Sequence, residues 1–338
     1  MGEYSLAAVR ENFENYLQNH ICDLCPPNIL GMREMVSYHF GWDGSVTVPG
    51  KRLRPLILIL AYASLNGKVD HAFQAASALE IFHNFTLVHD DIQDQGEMRH
   101  GHPALWTKFG IPLAINVGNY LSGLSQSMIG RLPDIFPVES RLIALNEFQD
   151  ATLGVIEGQQ LDIQYEKMDH ITVDDYINMI SLKTAKLFSV SFALAAILAG
   201  YEEEFVRKLA HIGENLGLGF QIQDDYLGIW GNQIETGKSI STDLLTRKKT
   251  FPAVTGLTNS TEFQALWDNK TENDQEQLSA MKNFLERVEV KKETLNLARA
   301  YYIEAQTQLN ELLPVENEFS EELLTLVDSM FAPILTEA

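Results

Sequence analysis

Residues 72–95 read AFQAASALEIFHNFTLVHDDIQDQ and carry the clearest indication of the fold. Their apolar side chains recur every three residues, at Phe73, Ala76, Leu79, Phe82 and Phe85. That spacing puts them on one face of an α-helix, and Gly96 marks the predicted end of the helix. Because this helix is long and rich in apolar residues, we expect it to lie deep in a helical bundle.

Helical spacing recurs along most of the chain, whereas strand alternation is almost absent. The best strand candidate, residues 46–48, stops at Pro49. Further helices are predicted at residues 141–165, 173–200, 205–230 and 290–313. No linker rich in Pro, Gly or Ser and no internal repeat divides them. We therefore predict an all-α fold with a single domain over residues 1–338.

Three glycines interrupt the apolar pattern of residues 205–230: Gly213, Gly217 and Gly219. In a helix, each costs about 1 kcal/mol relative to Ala. A neighbouring helix or a ligand that must approach closely explains such a cost. We predict close helix packing at these positions.

The composition excludes several classes of protein. Among 338 residues, 25 Lys plus Arg stand against 46 Asp plus Glu, and the formal net charge of −21 argues against a nucleic-acid partner. The longest apolar stretch, residues 187–200, is shorter than the roughly 20 residues that span a bilayer. Residues 1–20 contain no apolar signal segment, and two cysteines, Cys22 and Cys25, exclude a disulfide framework. We therefore expect a cytoplasmic protein without a transmembrane segment.

Three aspartates, Asp90, Asp91 and Asp94, lie within the first predicted helix. Residues four apart lie one helical turn apart, so these carboxylates share a face. Carboxylates crowded in apolar surroundings repel one another unless a cation is present. Mg²⁺ fits, because it takes one or two carboxylates and leaves its other positions to water or phosphate oxygens. The cluster therefore predicts a diphosphate ligand.

A second acidic pair, Asp224 and Asp225, lies in the other long apolar helix. A single cluster of this kind also fits a helix N-terminus or a solvated face. Two clusters, each in apolar surroundings and neither at a predicted helix start, favour metal binding instead. Together they predict a diphosphate held by several metal ions.

Cationic residues are grouped in a chain that is otherwise acidic. Arginine makes bidentate contacts with phosphate and lysine offers a point charge, so the groups predict phosphate binding, although any single member also fits an ordinary surface cation. They are Lys51, Arg52, Arg54, Arg99, Lys183, Lys186, Lys238, Arg247, Lys248 and Lys249. The last four belong to residues 231–250, a polar loop whose length predicts a functional role.

These motifs resemble those of the trans-prenyl diphosphate synthases, the family that includes farnesyl and geranylgeranyl diphosphate synthases. They follow the family's order from Gly50 to about Pro252. The matching positions are Gly50-Lys51-Arg52-Leu53-Arg54-Pro55; His83 before Asp90-Asp91-Ile92-Gln93-Asp94; Gly158-Gln159 with Asp162; Lys183-Thr184; Gln221 with Asp224-Asp225; and Gly237-Lys238, Asp243 and Lys248. The resemblance implies the isoprenoid synthase fold, a bundle of mostly antiparallel helices around a deep central cavity, and a homodimer.

The resemblance also implies a reaction, the Mg²⁺-dependent head-to-tail condensation of isopentenyl diphosphate with an allylic diphosphate. Asp90 and Asp94 would bind two Mg²⁺ ions and Asp224 a third, with Asp162 supporting them from behind. Asp91 would complete the first acidic motif. The positive charge of the ions would stabilise the departing diphosphate.

For the allylic substrate, the resemblance assigns Arg99, Lys183 and Lys238 to its diphosphate. It places Thr184 and Gln221 against the reacting carbons.

For isopentenyl diphosphate, it assigns Lys51, Arg54 and His83 to the diphosphate. Residues 231–250 would close over the phosphates, bring Lys248 onto them and exclude water.

Two departures from the family pattern concern charge. Family members commonly carry two Arg after the first motif and an Arg in a following Gly-Arg-Pro, whereas this chain has Arg99-His100 and Gly101-His102-Pro103. Histidine is only partly charged near pH 7, so His100 is expected to bind isopentenyl diphosphate more weakly, and less well as pH rises. Gly228 stands where many relatives have a third Asp, and we expect activity to survive because the first Asp is the usual ligand.

Product length is expected to depend on residues one and two turns before Asp90. Phe85 and Phe82 occupy those positions. Aromatic bulk there would stop chain growth early, which by the resemblance implies products of C15 to C20. The alternative is that both are ordinary core residues.

Other functions remain open. A class I terpene cyclase would share the fold, but its second motif usually has Ser or Thr and then Glu where this chain has Gly228 and Asn232. A non-catalytic subunit of a hetero-oligomeric synthase would tolerate the departures, although it would not need both acidic clusters. His89, His100 and His102 suggest a transition-metal site, but their spacing does not place three ligands on one helix.

Overall fold

The computed structural model describes residues 5–25, 29–44, 50–66, 68–231, 242–269, 274–314 and 317–337. Helices make up nearly all of the regular structure in these residues, which confirms the all-α prediction. The strand candidate at residues 46–48 lies outside the described residues, as does Lys238.

The chain divides into two compact units, each formed from three segments. Unit 1 consists of Met1–Asp150, Val190–Arg207 and Leu313–Leu326, and unit 2 of Ala151–Ser189, Lys208–Leu312 and Val327–Ala338. Because the segments alternate along the chain, no single cut in the sequence separates the units. A single domain over residues 1–338 stays a prediction.

The described elements agree with the helices predicted from sequence. They are α1 (Leu6–Leu24), α2 (Met32–Phe40), α3 (Leu53–Asn66), α4 (Phe73–Gln93), β1 (Met98–Arg99), β2 (His102–Pro103), α5 (Leu105–Phe109), α6 (Ile111–Ile129), α7 (Val138–Glu166), α8 (Val173–Ile180), α9 (Lys186–Leu198), α10 (Glu203–Trp230), α11 (Thr242–Leu245), α12 (Phe251–Asn259), α13 (Thr261–Asp268), α14 (Asp274–Arg287), α15 (Val290–Leu312) and α16 (Glu318–Leu335). A 3₁₀ turn, Val69–Ala72, precedes α4, and a π-helical segment, Ser181–Ala185, joins α8 to α9. The predicted loop at residues 231–250 thus contains one helical turn, α11.

Helix α4 is central to unit 1. It packs against α6, α3 and α1, and its Leu79 and Phe82 are fully buried. Helix α6 comes close to α4 at Gly118, where a Cβ atom would lie 2.3 Å from Nε2 of the His89 side chain. The core position predicted for this helix is confirmed within unit 1.

The end of α4 comes earlier than predicted. Gln95 adopts a left-handed conformation with φ of 54°, and the Gly96 N–H donates to the Asp91 carbonyl at 2.8 Å. This is the hydrogen-bond pattern of a helix C-terminus closed by a left-handed residue. Asp94 is therefore the C-cap residue of α4 and not part of its interior.

A short antiparallel hairpin, which the sequence pattern did not predict, follows α4. Arg99 pairs with His102 across the two strands. The turn residues, His100 and Gly101, both have positive φ, at 51° and 81°. Type I′ turns, which are common in two-residue hairpins, require positive φ at both central positions. Strands of two residues are too short to produce a periodic signal, so only the Gly101 turn marked this feature.

In unit 2, the glycines of α10 make room for neighbouring backbone. A Cβ atom at Gly213 would lie 2.5 Å from the Phe188 carbonyl oxygen, and one at Gly217 would lie 2.4 Å from Cα of Ala185. A Cβ atom at Gly219 would lie 3.0 Å from Cβ of Tyr301. Real side chains do not fit such distances without movement of the neighbours. Close packing, as predicted, explains the glycines.

One helical stretch, Val173–Leu198, has the length and composition of a membrane-spanning helix. It is longer than the apolar segment at residues 187–200, from which no membrane span was predicted. Within its most apolar window, 72% of the stretch is buried inside the protein. A helix of a protein core has the same properties, so this stretch is weak evidence for a membrane span.

Candidate active site

The acidic motif of unit 1 presents its three carboxylates differently. Asp90 is half-buried, Asp91 is 4% exposed and Asp94 is exposed. The Asp94 N–H donates to the Asp90 carbonyl at 2.8 Å, so these two residues lie one turn apart on the same face of α4. Asp91, unlike these two, has a buried side chain.

Arg99 of the hairpin holds Asp91. Its Nε donates to both carboxylate oxygens, at 3.1 and 3.2 Å, and its Nη2 also donates to Oδ1. Burial raises the pKa of Asp91, and the hydrogen bonds and charge of Arg99 oppose that rise. Arg99, predicted to bind diphosphate, is therefore tied to the helix that carries the acids.

Arg52 has a structural role. It is buried and donates to Glu14 of α1 at 2.9 Å and to Glu80 of α4 at 2.8 Å. A role for Arg52 in phosphate binding stays a prediction, while the structure shows its guanidinium group paired with these two carboxylates. Its two partners are 38 and 28 residues away in the chain, a pairing that no local motif reveals.

Arg54 and His83 form a pair beside Arg52. Nη1 of Arg54 donates to Nε2 of His83 at 3.2 Å. Burial lowers the pKa of Arg54 to about 10, and burial together with the charge of Arg54 holds the pKa of His83 well below its usual range. His83 is thus a neutral ring. Lys51, the residue before Arg52 in the chain, is exposed.

The two histidines of the hairpin differ in their surroundings. His102 is buried, stacks edge-on against Tyr38 at 4.8 Å, and its Nδ1 donates to the Pro103 carbonyl at 3.0 Å. His100 lies at the turn, where burial and the charge of Arg99 lower its pKa. The structure therefore places His102 in the packing of the hairpin, and only His100 in an accessible position.

Phe82 and Phe85, the predicted chain-length residues, lie on the buried side of α4. Their ring centroids are 5.4 Å apart, and Phe82 also contacts Phe148 of α7 at 5.8 Å. Phe85 contacts His89 at 4.8 Å. The role of these rings in setting product length stays a prediction.

In unit 2, the π-helical segment carries Lys183 and Thr184. Helix α7 comes so close at Gly158 that a Cβ atom there would lie 2.3 Å from the Lys183 backbone nitrogen. Lys183 forms an ion pair with the buried Asp162 of α7. Single π-helical turns within α-helices are frequent at functional sites.

A buried hydrogen-bond network links the π-helical segment to the second acidic motif. Thr184 Oγ1 donates to Gln221 Oε1 at 2.8 Å, and Gln221 Nε2 donates to Asp225 Oδ1 at 3.0 Å. Oδ2 of Asp225 accepts from the Tyr176 hydroxyl at 2.5 Å and from the Phe251 N–H at 2.8 Å. Burial raises the pKa of Asp225 to about 7 against these hydrogen bonds. Tyr176 and Phe251 were missed because no sequence motif marks them.

Asp224 is exposed, in contrast to its buried neighbour Asp225. One turn further along α10, a Cβ atom at Gly228 would lie 2.9 Å from Oδ2 of Asp243. The motif lacks a third acid in sequence, yet the carboxylate of Asp243 occupies the space beside that position.

The basic run after α11 divides into two kinds of residue. Arg247 and Lys249 lie over the ring of Trp267, at 5.2 and 5.3 Å from its centroid. Both therefore have a packing role that the sequence did not indicate. Lys248 lies between them, half-buried, and its N–H donates to the Asp243 carbonyl at 2.9 Å.

The acids fit magnesium by the chemistry of their donors. Mg²⁺ takes hard oxygen ligands and uses few from the protein, which matches Asp90 and Asp94 on adjacent turns and the exposed Asp224. Within the described residues, no group of three or more His, Cys, Asp or Glu side chains has the arrangement of a complete metal site. Phosphate oxygens and water would have to complete the coordination.

Known proteins share this architecture. Residues 42–288 match the model of the polyprenyl synthetase family. A geranylgeranyl diphosphate synthase of Sulfolobus acidocaldarius is 35% identical over 315 residues, which cover 89% of this chain and 92% of that protein. One from Saccharolobus solfataricus is 37% identical over 297 residues, covering 86% and 87%. The crystal structure of geranylgeranyl pyrophosphate synthetase from Pyrococcus horikoshii has a TM-score of 0.87 and 26% identity, covering 96% of this chain and 97% of that one.

The helical fold and the ordered motifs define an enzyme class that acts on prenyl diphosphates. The chain belongs to the polyprenyl synthetase family and is a trans-prenyltransferase. The resemblance found in its motifs is confirmed. Enzymes of this family act on isopentenyl and allylic diphosphates and generally depend on Mg²⁺.

Proposed function

We propose that this protein condenses isopentenyl diphosphate head to tail with an allylic prenyl diphosphate to give products of C15 to C20. One observation carries the proposal: in each acidic motif, one aspartate is held inside the protein and its neighbour is more exposed. Asp91 is held by Arg99, and Asp225 by Tyr176, Gln221 and the Phe251 N–H. Asp90 and Asp224 are the more exposed members.

In this proposal, Asp90, Asp94 and Asp224 hold Mg²⁺, three ions by the family pattern, with Asp162 and Asp91 as supporting residues. Bound Mg²⁺ supplies the positive charge that stabilises a departing diphosphate. Asp162 supports the site by pairing with Lys183.

Arg99, Lys183 and Lys238 bind the allylic diphosphate in this scheme. The allylic C–O bond breaks and its electron pair leaves with the diphosphate, whose charge the three cations stabilise. Thr184 and Gln221 flank the reacting carbons, and their mutual hydrogen bond fixes their orientation.

Lys51, Arg54, His83 and His100 bind the diphosphate of isopentenyl diphosphate. Its double bond attacks the allylic carbon, and a proton then leaves the adjacent carbon for the departed diphosphate, so the reaction needs no dedicated protein base. Lys248 closes over the phosphates and helps to exclude water.

Phe82 and Phe85 limit chain growth in this proposal. Their burial and mutual contact make a rigid aromatic pair one and two turns before Asp90. We also propose a cytoplasmic homodimer. Exposed apolar side chains on α6 and α7 support an interface between copies: Ile111, Leu113, Ile115, Leu142 and Ile143.

The decisive experiment gives purified protein isopentenyl diphosphate, Mg²⁺ and a C5, C10 or C15 allylic diphosphate. Linear prenyl alcohols of C15 to C20, released by phosphatase and resolved by chromatography, are the expected products. Cyclic hydrocarbon would indicate a terpene cyclase. Turnover only with an added partner chain would indicate a non-catalytic subunit. Light scattering of the same preparation checks the dimer.

A further inference from the structure

His39 of α2 has one ring nitrogen that nothing in the described residues satisfies. The side chain is 5% exposed, and its Nε2 is buried without a hydrogen-bond partner there. The other side of the ring donates to the side chain of Asn84 on α4. A buried polar atom without a partner destabilises a protein unless a water molecule or a ligand supplies the missing hydrogen bond.

The hydrogen bonds around Asn84 define which nitrogen of His39 carries the proton. Nδ2 of Asn84 donates to the Glu80 carbonyl at 2.8 Å and to Glu80 Oε1 at 2.9 Å, which leaves its Oδ1 to accept from His39. Glu80 is fixed in turn by Arg52 at 2.8 Å. His39 therefore carries its proton on Nδ1, and the unsatisfied Nε2 is a bare acceptor.

The cations that face His39 are the guanidinium groups of Arg99 and Arg52, which are paired with the carboxylates of Asp91 and Glu80. Arg99 and His100 of the hairpin and Arg52 before α3 each act on its ring, and His83 of α4 is coupled to it. Glu80, reached through Asn84, is committed to Arg52. Burial and these charges lower the pKa of His39 to about 3, so the ring is neutral in the ligand-free protein. A bound anion close to the ring would raise the pKa of His39 and favour its charged form.

We infer that His39 is a further residue of the pocket for isopentenyl diphosphate, where its Nε2 takes up a proton from solvent and the new N–H donates a hydrogen bond to a diphosphate oxygen. The inference rests on the proposed function, which puts that diphosphate among Arg54, His83 and His100. The negative charge of the diphosphate stabilises the imidazolium. The new N–H on Nε2 then has a hydrogen-bond acceptor, so Nε2 no longer lacks a partner. Substrate binding is thereby coupled to proton uptake.

Two substitutions separate the roles of the ring nitrogens. His39→Asn keeps a polar group near Nδ1 and removes Nε2, so it should lose both the contact and the proton. His39→Gln keeps a neutral polar group near Nε2, so it should retain more affinity but take up no proton. His211→Gln, an exposed histidine of α10 in unit 2, is the matched control.

The test is titration calorimetry with isopentenyl diphosphate, without Mg²⁺, in two buffers of different ionisation enthalpy at pH 7. We expect both His39 variants to take up fewer protons per ligand than wild type, by up to about one, while His211→Gln matches wild type. His39→Asn should weaken binding about tenfold, the effect of one hydrogen bond to a charged group. Thermal melts monitored by circular dichroism verify that the variants fold.

Two failures are distinguishable. If wild type turns over prenyl substrates and binds isopentenyl diphosphate, but both folded His39 variants take up as many protons as wild type, the role of His39 is refuted and the proposed function stands. If wild type neither binds isopentenyl diphosphate nor elongates an allylic diphosphate, the proposed function itself is refuted, and the inference with it.

Discussion

The two acidic motifs hold their buried aspartates by different means. In unit 1, Asp91 is neutralised by a full charge, the guanidinium of Arg99. In unit 2, Asp225 is surrounded by neutral donors, namely a hydroxyl, an amide and a backbone N–H. Burial raises the pKa of both carboxylates, and that of Asp225 reaches about 7. In both motifs the donors oppose the effect of burial on the carboxylate.

This difference assigns different roles to the two buried aspartates. Asp91 holds Arg99 in position, and Arg99 is a cation that is proposed to bind substrate. Asp225 holds two neutral side chains in position. Its carboxylate accepts a hydrogen bond from Gln221, and Gln221 in turn accepts one from Thr184. Each motif thus orients its own set of side chains, for which ligand binding is proposed.

The largest effect should come from a more exposed acid. Asp90→Asn removes a proposed Mg²⁺ ligand and should lower kcat about a thousandfold or more, since metal charge stabilisation is worth several kcal/mol. Asp134→Asn, at an exposed carboxylate paired with Arg141, should leave kcat unchanged. Elongation assays with saturating substrates measure both. Wild-type activity in Asp90→Asn would remove the metal assignment.

A second test concerns the charged pairs of unit 1. Arg52→Leu leaves Glu80 buried without its cation and should lower the free energy of unfolding by about 3–5 kcal/mol. Arg207→Leu, which breaks an exposed pair with Glu203, should have little effect. Urea denaturation compares the two. Equal stability of both variants would show that charge does not hold this region.

The neutral donors of unit 2 can be tested in the same way. Tyr176→Phe removes one donor to Asp225 and should cost about 1–3 kcal/mol of stability. It should also lower kcat, because Gln221 and Thr184 lose part of their support. Tyr201→Phe, at an exposed residue, is the control. A folded Tyr176→Phe variant with wild-type stability and kcat would contradict the supporting role of this network.

Two glycines of α10 should respond unequally to alanine. Gly213→Ala places a Cβ atom against the backbone of Phe188 and should cost about 1–3 kcal/mol, since backbone yields little. Gly228→Ala meets only the end of the Asp243 side chain, which can rotate, and should cost less. Thermal denaturation measures both. A larger loss at Gly228 would mean that the Asp243 carboxylate is held rigidly.

The smallest effect concerns the product. Phe85→Ala should lengthen the main product by about one C5 unit, since it removes aromatic bulk near Asp90. Phe73→Ala, at the start of the same helix, is the matched control and should leave product length unchanged. Chromatography of the dephosphorylated products gives the answer. An identical product from Phe85→Ala would place the limit to chain growth elsewhere.

Local sequence predicted the elements well because helices form from contacts three and four residues apart. The apolar spacing in residues 72–95 correctly predicted α4, and the glycines of α10 correctly predicted close packing. The hairpin at Arg99 was missed because two-residue strands have no period. The packing roles of Arg52 and Lys249 were not predicted, since in sequence they look the same as the neighbouring cations that are proposed to bind ligand.

The helical fold, the family and the acidic motifs could be predicted from the amino-acid order, because periodicity and motif order are local properties of a chain. The tertiary structure alone decided which member of each motif is engaged inside the protein. Arg52 meets Glu14 and Glu80, and Asp225 meets Tyr176 and Phe251, across separations of 26 to 49 residues. Burial and hydrogen bonding depend on such distant partners, and these set the charge and orientation of each side chain.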